Sequence, residues 1–533
     1  MVYDPIKRRS YKCRITISGG IIEEIVPTER ASRNIILPGF IDSHVHIESS
    51  MLTPQSFSRA AAVHGTVAVV ADPHEIANVA GVKGIDVFIN NAKNADIKIY
   101  FGAPSCVPAS PVDDCFEILD AEKVNRLLER EDIHFLSEMM NYPGVITKNK
   151  DVLSKINKAK NLKKPIDGHA PLLSNGELEK YAAEGISTDH ECSTLEEAHE
   201  KLRLGMKIQI REGSAAKNYN ALHPLIKSHN KQCMFCTDDC HPDDLLNAHI
   251  NKQVRFSLKN GYDIFDILQV ASVNPVIHYG LKVGLLQEGD PADFIVVDSL
   301  ETLRVKATYI NGVNVLASKN KVLKTKHISK KYLFPNRIEK NKITIRSESK
   351  SVKVMRAIDG ELITEKEKYK PNVIEGVVNP NISEDILKIV IVNRYNQNEV
   401  FASLIKGFGL KKGSIASSIA HDSHHILSVG CDDESIFNAL KYVIEHRGGI
   451  SYSVSSETYG LPLPVFGLLS NENVAIVSKK YKSLVHRVKE NGCSLKSPFM
   501  TLAFMSLTVI PRLKISPRGL FDVESFSLTP FSL

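Results

Sequence analysis

Short apolar runs alternate along the first half of the chain with stretches whose apolar residues recur every three or four positions, the periods of buried strands and of one-sided helices. Eight runs predict strands: 35–41, 66–71, 97–102, 133–136, 165–167, 186–188, 206–210 and 233–237. Between them the helical period appears at 82–93, 121–130, 153–162, 176–183, 195–204 and 244–259. Such alternation predicts βα units around a parallel sheet. Eight units in about 240 residues match a (β/α)8 TIM-like barrel in number and size, with a doubly wound open sheet as the alternative.

Short strands also flank this region. One set covers 12–17 and 21–26 around a Gly19-Gly20 turn, and a second covers 293–297, 307–310 and 313–316, with Asn311-Gly312 as a hairpin turn. Neither set can bury a core alone. They are expected to pair into one composite β-sandwich domain, residues 1–34 with 281–325, into which a barrel of residues 35–280 is inserted. Residues 326–353 form a charged, lysine-rich linker, and 354–533 a C-terminal α/β domain with a helix at 434–445.

Composition changes this picture little. Hydrophobic residues make up 43% and charged residues 24% of the 533, an ordinary globular balance. A net charge of +6 is too small and too dispersed to imply nucleic acid. No apolar run approaches the roughly 18 residues of a membrane span, and the opening MVYDPIKRRSYK lacks a signal segment. Nine cysteines without a framework spacing predict free thiols and a cytoplasmic setting.

The candidate chemistry sits just past the strands. Barrel enzymes carry their active residues at the C-terminal strand ends. His44 and His46 sit two apart, so they aim together off the first strand. Glu138 follows the fourth strand, His169 the fifth, His190 the sixth and Asp238 the eighth. Asp72, His74 and Glu75 follow the second strand, and Arg211, Glu212 and Ser214 the seventh. Each alone has a plain alternative: Glu138 or Asp238 as a helix cap, His169 as a core histidine. Together, four imidazoles and two carboxylates suit two divalent metals bridged by a carboxylate, with Mn, Fe or Zn all compatible. Paired metals lower the pKa of a bridging water and hold it as hydroxide, while Asp238 can move its proton to a leaving group.

Two other metal readings are weak. His46-Ile47-Glu48 with Cys233 and Cys236 superficially suggests a zinc cytidine-type deaminase, but no proline precedes Cys233. Cys233, Cys236 and Cys240 as a structural zinc site lack a fourth ligand.

The stretches LPGFIDSHVHIESS, DPHEIANV, EMMNYPGV, GHAP, STDHE, REGSAAKN and TDDCHPDDL resemble the amidohydrolase superfamily, and more closely its bacterial adenine deaminases. GFGLKKGSIASSIAHDSHHI, LPVFGLLS and VIPRLKISPRGLFDV extend the resemblance over nearly the whole chain. It implies hydrolytic deamination of adenine to hypoxanthine and ammonia at two divalent ions, Mn or Fe ahead of Zn. By resemblance the ligands are His44, His46, Glu138, His169, His190 and Asp238, with Glu138 bridging and sharing proton traffic with Asp238. No lysine occupies the fourth-strand position, which excludes a carbamylated-lysine bridge. NRYNQN at 393–398, HRGGISYS at 446–453 and the CTDD context depart from the family pattern and bear on rate or substrate range. Asp72, His74 and Glu75 would hold substrate, assist proton transfer or ligate a further metal. Arg211, Glu212 and Ser214 are placed to contact the base by loop position alone. His421, Asp422, Ser423, His424 and His425 either close over the barrel mouth or form an interdomain hydrogen-bond network.

Two other functions stay open on the sequence alone. One is a binuclear-metal amidohydrolase acting on another purine or cyclic amide; the other is a catalytically silent metal-binding scaffold, against which the intact ligand set argues. The expected partner is a small molecule, with neither nucleic acid nor membrane, and exposed β-domain edges predict a homodimer.

Overall fold

The computed structural model describes residues 1–29, 34–317, 334–396 and 399–533. It comprises two compact units, the first made of Met1–Pro73, Asp86–Cys106 and Leu119–Leu323, the second of His74–Ile85, Val107–Ile118 and Lys324–Leu533.

In the first unit eight parallel strands run in chain order: Phe40–His46, Thr66–Ala71, Lys98–Ala103, Ile133–Met139, Ile166–Gly168, Thr188–Asp189, Lys207–Arg211 and Cys233–Cys236. The first five pair side by side, as do the last three. The two ladders meet where Ser187 N–H donates to the Ile166 carbonyl at 2.9 Å. Closure comes from Asp238–Asp239, which pairs in parallel with the first strand, Asp238 opposite Val45. Strands covered on both faces read as continuous apolar runs, and all six residues of Thr66–Ala71 are buried. The TIM-like barrel expected from periodicity is therefore present.

Element boundaries differ from expectation in instructive ways. The run 35–41 is two strands: Ile35–Pro38 pairs antiparallel with Phe294–Val297, and Phe40–His46 enters the barrel. They part at Gly39, where a Cβ would lie 2.1 Å from a Val67 methyl. His44, His46 and Glu138 thus lie within their strands rather than beyond them. The helix expected at 82–93 begins at His74 and runs to Ala92 with a break at Gly81 (φ 60°, ψ −152°), where the Glu117 carboxylate accepts the Val82 N–H at 3.1 Å. The helix expected at 244–259 is two, Pro242–Asn247 and Ile250–Lys259, because Ala248 is extended (φ −167°).

A six-stranded sheet joins both chain flanks in the order Val313–Asn314, Val305–Ile310, Phe294–Val297, Ile35–Pro38, Val2–Asp4, Arg9–Tyr11. The hairpin Cys13–Ser18 with Ile21–Pro27 turns through Gly19 and Gly20 at φ 57° and 84°, a conformation glycine adopts without penalty. Val2, Ile22, Leu286, Ala292 and Phe294 form the core between hairpin and sheet, the composite β-sandwich.

The second unit centres on an eight-stranded sheet of Thr364–Tyr369, Val352–Ala357, Val400–Lys406, Leu387–Val392, Ile426–Gly430, Ser414–Ser417, Gly449–Val454 and Glu457–Pro462, in that order. Helix Asp433–Glu445, capped by the Asp432 carboxylate accepting Ser435 N–H at 2.8 Å, buries Ile436, Ala439, Leu440 and Val443. Residues 326–333 and 397–398 fall outside the described residues, while Ile345 packs with Val352, Val354 and Val378. Among the described residues no helix is long and apolar enough to cross a membrane.

One glycine links barrel geometry to the chemistry. A Cβ on Gly168 would sit 2.3 Å from the Thr188 carbonyl oxygen, a backbone atom of the adjacent strand that cannot swing away. Gly168→Ala is therefore expected to destabilise the fold by about 1–3 kcal/mol through overpacking, read by thermal unfolding.

Candidate metal centre

His44 and His46 share one face of the first strand, their Nε2 atoms 3.3 Å apart. Their strand is braced from the eighth. The buried Asp42 carboxylate accepts the Thr237 N–H at 3.0 Å and the His44 N–H at 3.3 Å, and it lies 3.1 Å from His249 Nε2. His46 Nδ1 faces the Asp72 backbone carbonyl at 3.2 Å, which leaves Nε2 for the centre.

Glu138 occupies the middle. Its Oε1 lies 3.2 Å from His46 Nε2 and 4.0 Å from His44 Nε2, while Oε2 lies 2.8 Å from His169 Nδ1 and 3.3 Å from His190 Nε2. Each carboxylate oxygen therefore serves one pair of histidines. Asp238 completes the first pair, with Oδ1 at 3.1 Å from His46 Nε2 and 3.5 Å from His44 Nε2. All six sequence-predicted ligand candidates are thus brought together, and their side chains are nearly or fully buried.

Local structure explains the two histidines on the far side. His169 follows Gly168, and its N–H donates to Tyr181 Oη at 3.1 Å, while the same hydroxyl donates to the Met139 carbonyl at 2.7 Å. His190 follows a two-residue strand. Its carbonyl accepts from Asn218 Nδ2 at 3.1 Å, and its neighbour Asp189 forms a fully buried pair with Lys201 at 2.9 Å. His190 also stacks on His44, ring centroids 4.1 Å apart.

Burial alone would raise the Glu138 carboxyl, but the imidazoles of His169, His190 and His46 outweigh it and hold it well below the usual carboxylate range. For Asp238 burial is likewise outweighed, here by Arg211 first and then His44 and His46. Both groups are held as anions, the form that binds metals.

The donor set fits divalent ions. Ligand atoms bound at about 2.1 Å in tetrahedral or octahedral geometry stand roughly 3.0–3.4 Å from one another. The 3.1–3.5 Å separations among His44, His46 and Asp238 match that spacing. His44, His46 and Asp238 form one group of mutually close ligand atoms; His44, Glu138 and His190 form another.

The residues predicted after the seventh strand are engaged in specific ways. Arg211 Nη1 donates to Asp238 Oδ2 and to Glu191 Oε1, each at 2.6 Å, so it positions the carboxylate whose other oxygen faces the histidines. Glu212 pairs with Lys252 at 2.9 Å, and Ser214 Oγ donates to Asp244 Oδ2 at 2.6 Å. Glu191 escapes sequence reasoning. It stands 3.3 Å from His190 Nε2 and 3.7 Å from His169 Nδ1, grouped with both histidines. Its one signal is its place beside His190 in STDHE, obscured because two carboxylates already suffice for the site. His74 and Glu75 fall in the second unit, where they meet His421, Asp422 and His424.

The chain is similar to known proteins over nearly its whole length. Residues 35–315 match the amidohydrolase family and residues 361–527 the adenine deaminase C-terminal domain. An adenine deaminase of Parabacteroides distasonis is 47% identical over 99% of this chain and 97% of its own. Those of Methanosarcina acetivorans (46%, 99% and 97%) and Borreliella burgdorferi (43%, 99% and 98%) are alike over nearly the whole length. A solved β-aspartyl dipeptidase of Fervidobacterium islandicum overlays 59% of this chain and 94% of its own, with a TM-score of 0.44 and 13% identity.

Removing Arg211 tests the electrostatics. Arg211→Met leaves the Asp238 and Glu191 carboxylates buried without their cation and is expected to cost about 3–5 kcal/mol in thermal or urea unfolding. Full-length similarity at this level, with both family regions in order, places the chain in the adenine deaminase family of the amidohydrolases.

Proposed function

We propose that this chain is a hydrolase that deaminates adenine to hypoxanthine and ammonia. The observation that carries the reading is Glu138, whose two oxygens divide His44 and His46 from His169 and His190. Two divalent ions would be held, one by His44, His46, Asp238 and Glu138 Oε1, the other by His169, His190 and Glu138 Oε2, with Mn or Fe ahead of Zn. Such ions supply a hydroxide nucleophile near neutral pH.

The protein's own part is positioning and proton movement. Arg211 holds Asp238 Oδ2, leaving Oδ1 directed at the reacting centre. As the oxygen of the attacking water bonds to C6 of the purine, its two protons move in turn: Asp238 takes one and passes it to the exocyclic nitrogen, and Glu138 shares the traffic that delivers the other to N1 of the ring. The C6–N bond breaks, ammonia departs, and the oxygen stays on C6 as the carbonyl of hypoxanthine. Closed barrel walls and buried ligands keep the charges from water and strengthen each interaction.

The reading extends to organisation and setting. Of the division into residues 1–34 with 281–325, 35–280, 326–353 and 354–533, the two family regions, 35–315 and 361–527, support the separation of a barrel-bearing part from a C-terminal domain. A cytoplasmic setting is supported by nine cysteines that form no disulfide. A homodimer is supported by the edge strand Arg9–Tyr11, whose outer side is exposed. Sedimentation should then show twice the chain mass.

The decisive assay is ammonia release from adenine by protein stripped of metal and reloaded separately with Mn, Fe and Zn. Metal-dependent conversion to hypoxanthine is expected. No conversion despite two bound ions would send the search to other purines and cyclic amides, and no bound ion would remove the site. Glu138→Gln should lower turnover by more than about a hundredfold, since even outer partners of metal ligands cost 10–100-fold. Near-normal turnover would overturn the bridging role.

A further inference from the structure

We propose that the second unit holds a metal site of its own, formed by His74, Glu75 and Asp422, for one first-row divalent ion. His74 Nε2 lies 3.2 Å from Asp422 Oδ1 and 3.8 Å from Glu75 Oε1, and the three ligand atoms lie within 4.8 Å of one another. These separations suit one ion bound at about 2.1 Å after small side-chain adjustments. His74, Glu75 and Asp422 are 3%, 1% and 6% exposed, so solvent cannot neutralise the two carboxylates.

The surroundings are built as outer support for such a site. His421 Nδ1 pairs with Glu75 Oε1 and His424 Nε2 with Glu75 Oε2. The Ala420 N–H reaches His424 Nδ1 at 3.3 Å, which places that ring's proton on Nε2, facing Glu75. His424 is thereby a donor to the carboxylate rather than a ligand, the usual arrangement around metal-bound carboxylates. His421 stacks on Phe504 with centroids 4.9 Å apart, which fixes its ring. Asp422 Oδ2 is buried without a hydrogen-bond partner, an observation independent of the spacing. The ion pairs of Glu75 and Asp422 run to the imidazoles of His74, His421 and His424. Two buried carboxylates surrounded by imidazoles therefore call for a cation.

One imidazole nitrogen and two carboxylate oxygens select a borderline transition ion such as Zn2+, Mn2+ or Fe2+ over Ca2+ or Mg2+. The ion would tie the start of helix His74–Ala92 to the segment 420–425, joining parts of the unit far apart in sequence.

The test is metal content per chain, by mass spectrometry of full-length protein stripped and reloaded with Zn2+. Wild type should carry one ion more than Asp422→Asn, and His44→Ala with His190→Ala should lose barrel metal while keeping this ion. Equal metal in wild type and Asp422→Asn would overturn the proposal. Wild-type crystals grown with Zn2+ decide independently of any variant's folding: an anomalous peak bonded to His74 Nε2 supports the site, and its absence there overturns it. If the only ion bound vanishes with Asp422→Asn and persists in the barrel variant, this site stands and the barrel reading falls.

Discussion

Glu138 brings a buried carboxylate within 2.8 Å of His169 Nδ1 and 3.2 Å of His46 Nε2, and the barrel must hold four strands in register to do so. An anion at that depth is unfavourable unless compensated, and the compensation here comes from imidazoles on the first, fifth and sixth strands. Strand order, the Ser187–Ile166 junction and the pairing of Asp238 with Val45 all serve that convergence. Loss of any of these would separate the charges rather than merely loosen a loop.

Around this centre sits a second layer of compensated charge. Asp42 ties the first strand to the eighth through Thr237 and meets His249. Asp189 is paired with Lys201, and Asp167, whose carboxyl burial pushes up to about 7, accepts from Tyr279 and Thr188. Arg211 neutralises Asp238 and Glu191 together. Each of these acids has a partner, Asp238 and Glu191 sharing Arg211, so ligand positions are held by groups that themselves cannot move freely. This rigidity suits a reaction whose rate depends on placing one water, one proton carrier and one purine carbon.

Much of this architecture is legible in the sequence because strand periodicity and strand-end position are local properties. The run at 66–71 reads as a strand in sequence and is one, and the six ligand candidates are found from where the runs stop. The failures are equally physical. The run at 35–41 reads as one strand because Pro38 and Gly39 sit among apolar residues, yet Val67 packs against the Cα of Gly39 and the chain changes sheets there. The helix starting at His74 reads eight residues late because Gly81 interrupts its period, an interruption repaired by the side chain of Glu117. Glu191 and the double pairing of Arg211 depend on two turns distant in sequence meeting, which no local pattern encodes.

By itself, then, the amino-acid order determined the barrel, the composite β-sandwich and the set of six candidate ligands, since alternating burial and strand ends are written residue by residue. Tertiary structure alone decided how the carboxylates are shared: which oxygen of Glu138 faces which histidines, that Arg211 secures Asp238, and that Glu75 lies between His421 and His424. The reason is that electrostatic compensation acts over 3–4 Å between atoms that the chain separates by tens to hundreds of residues.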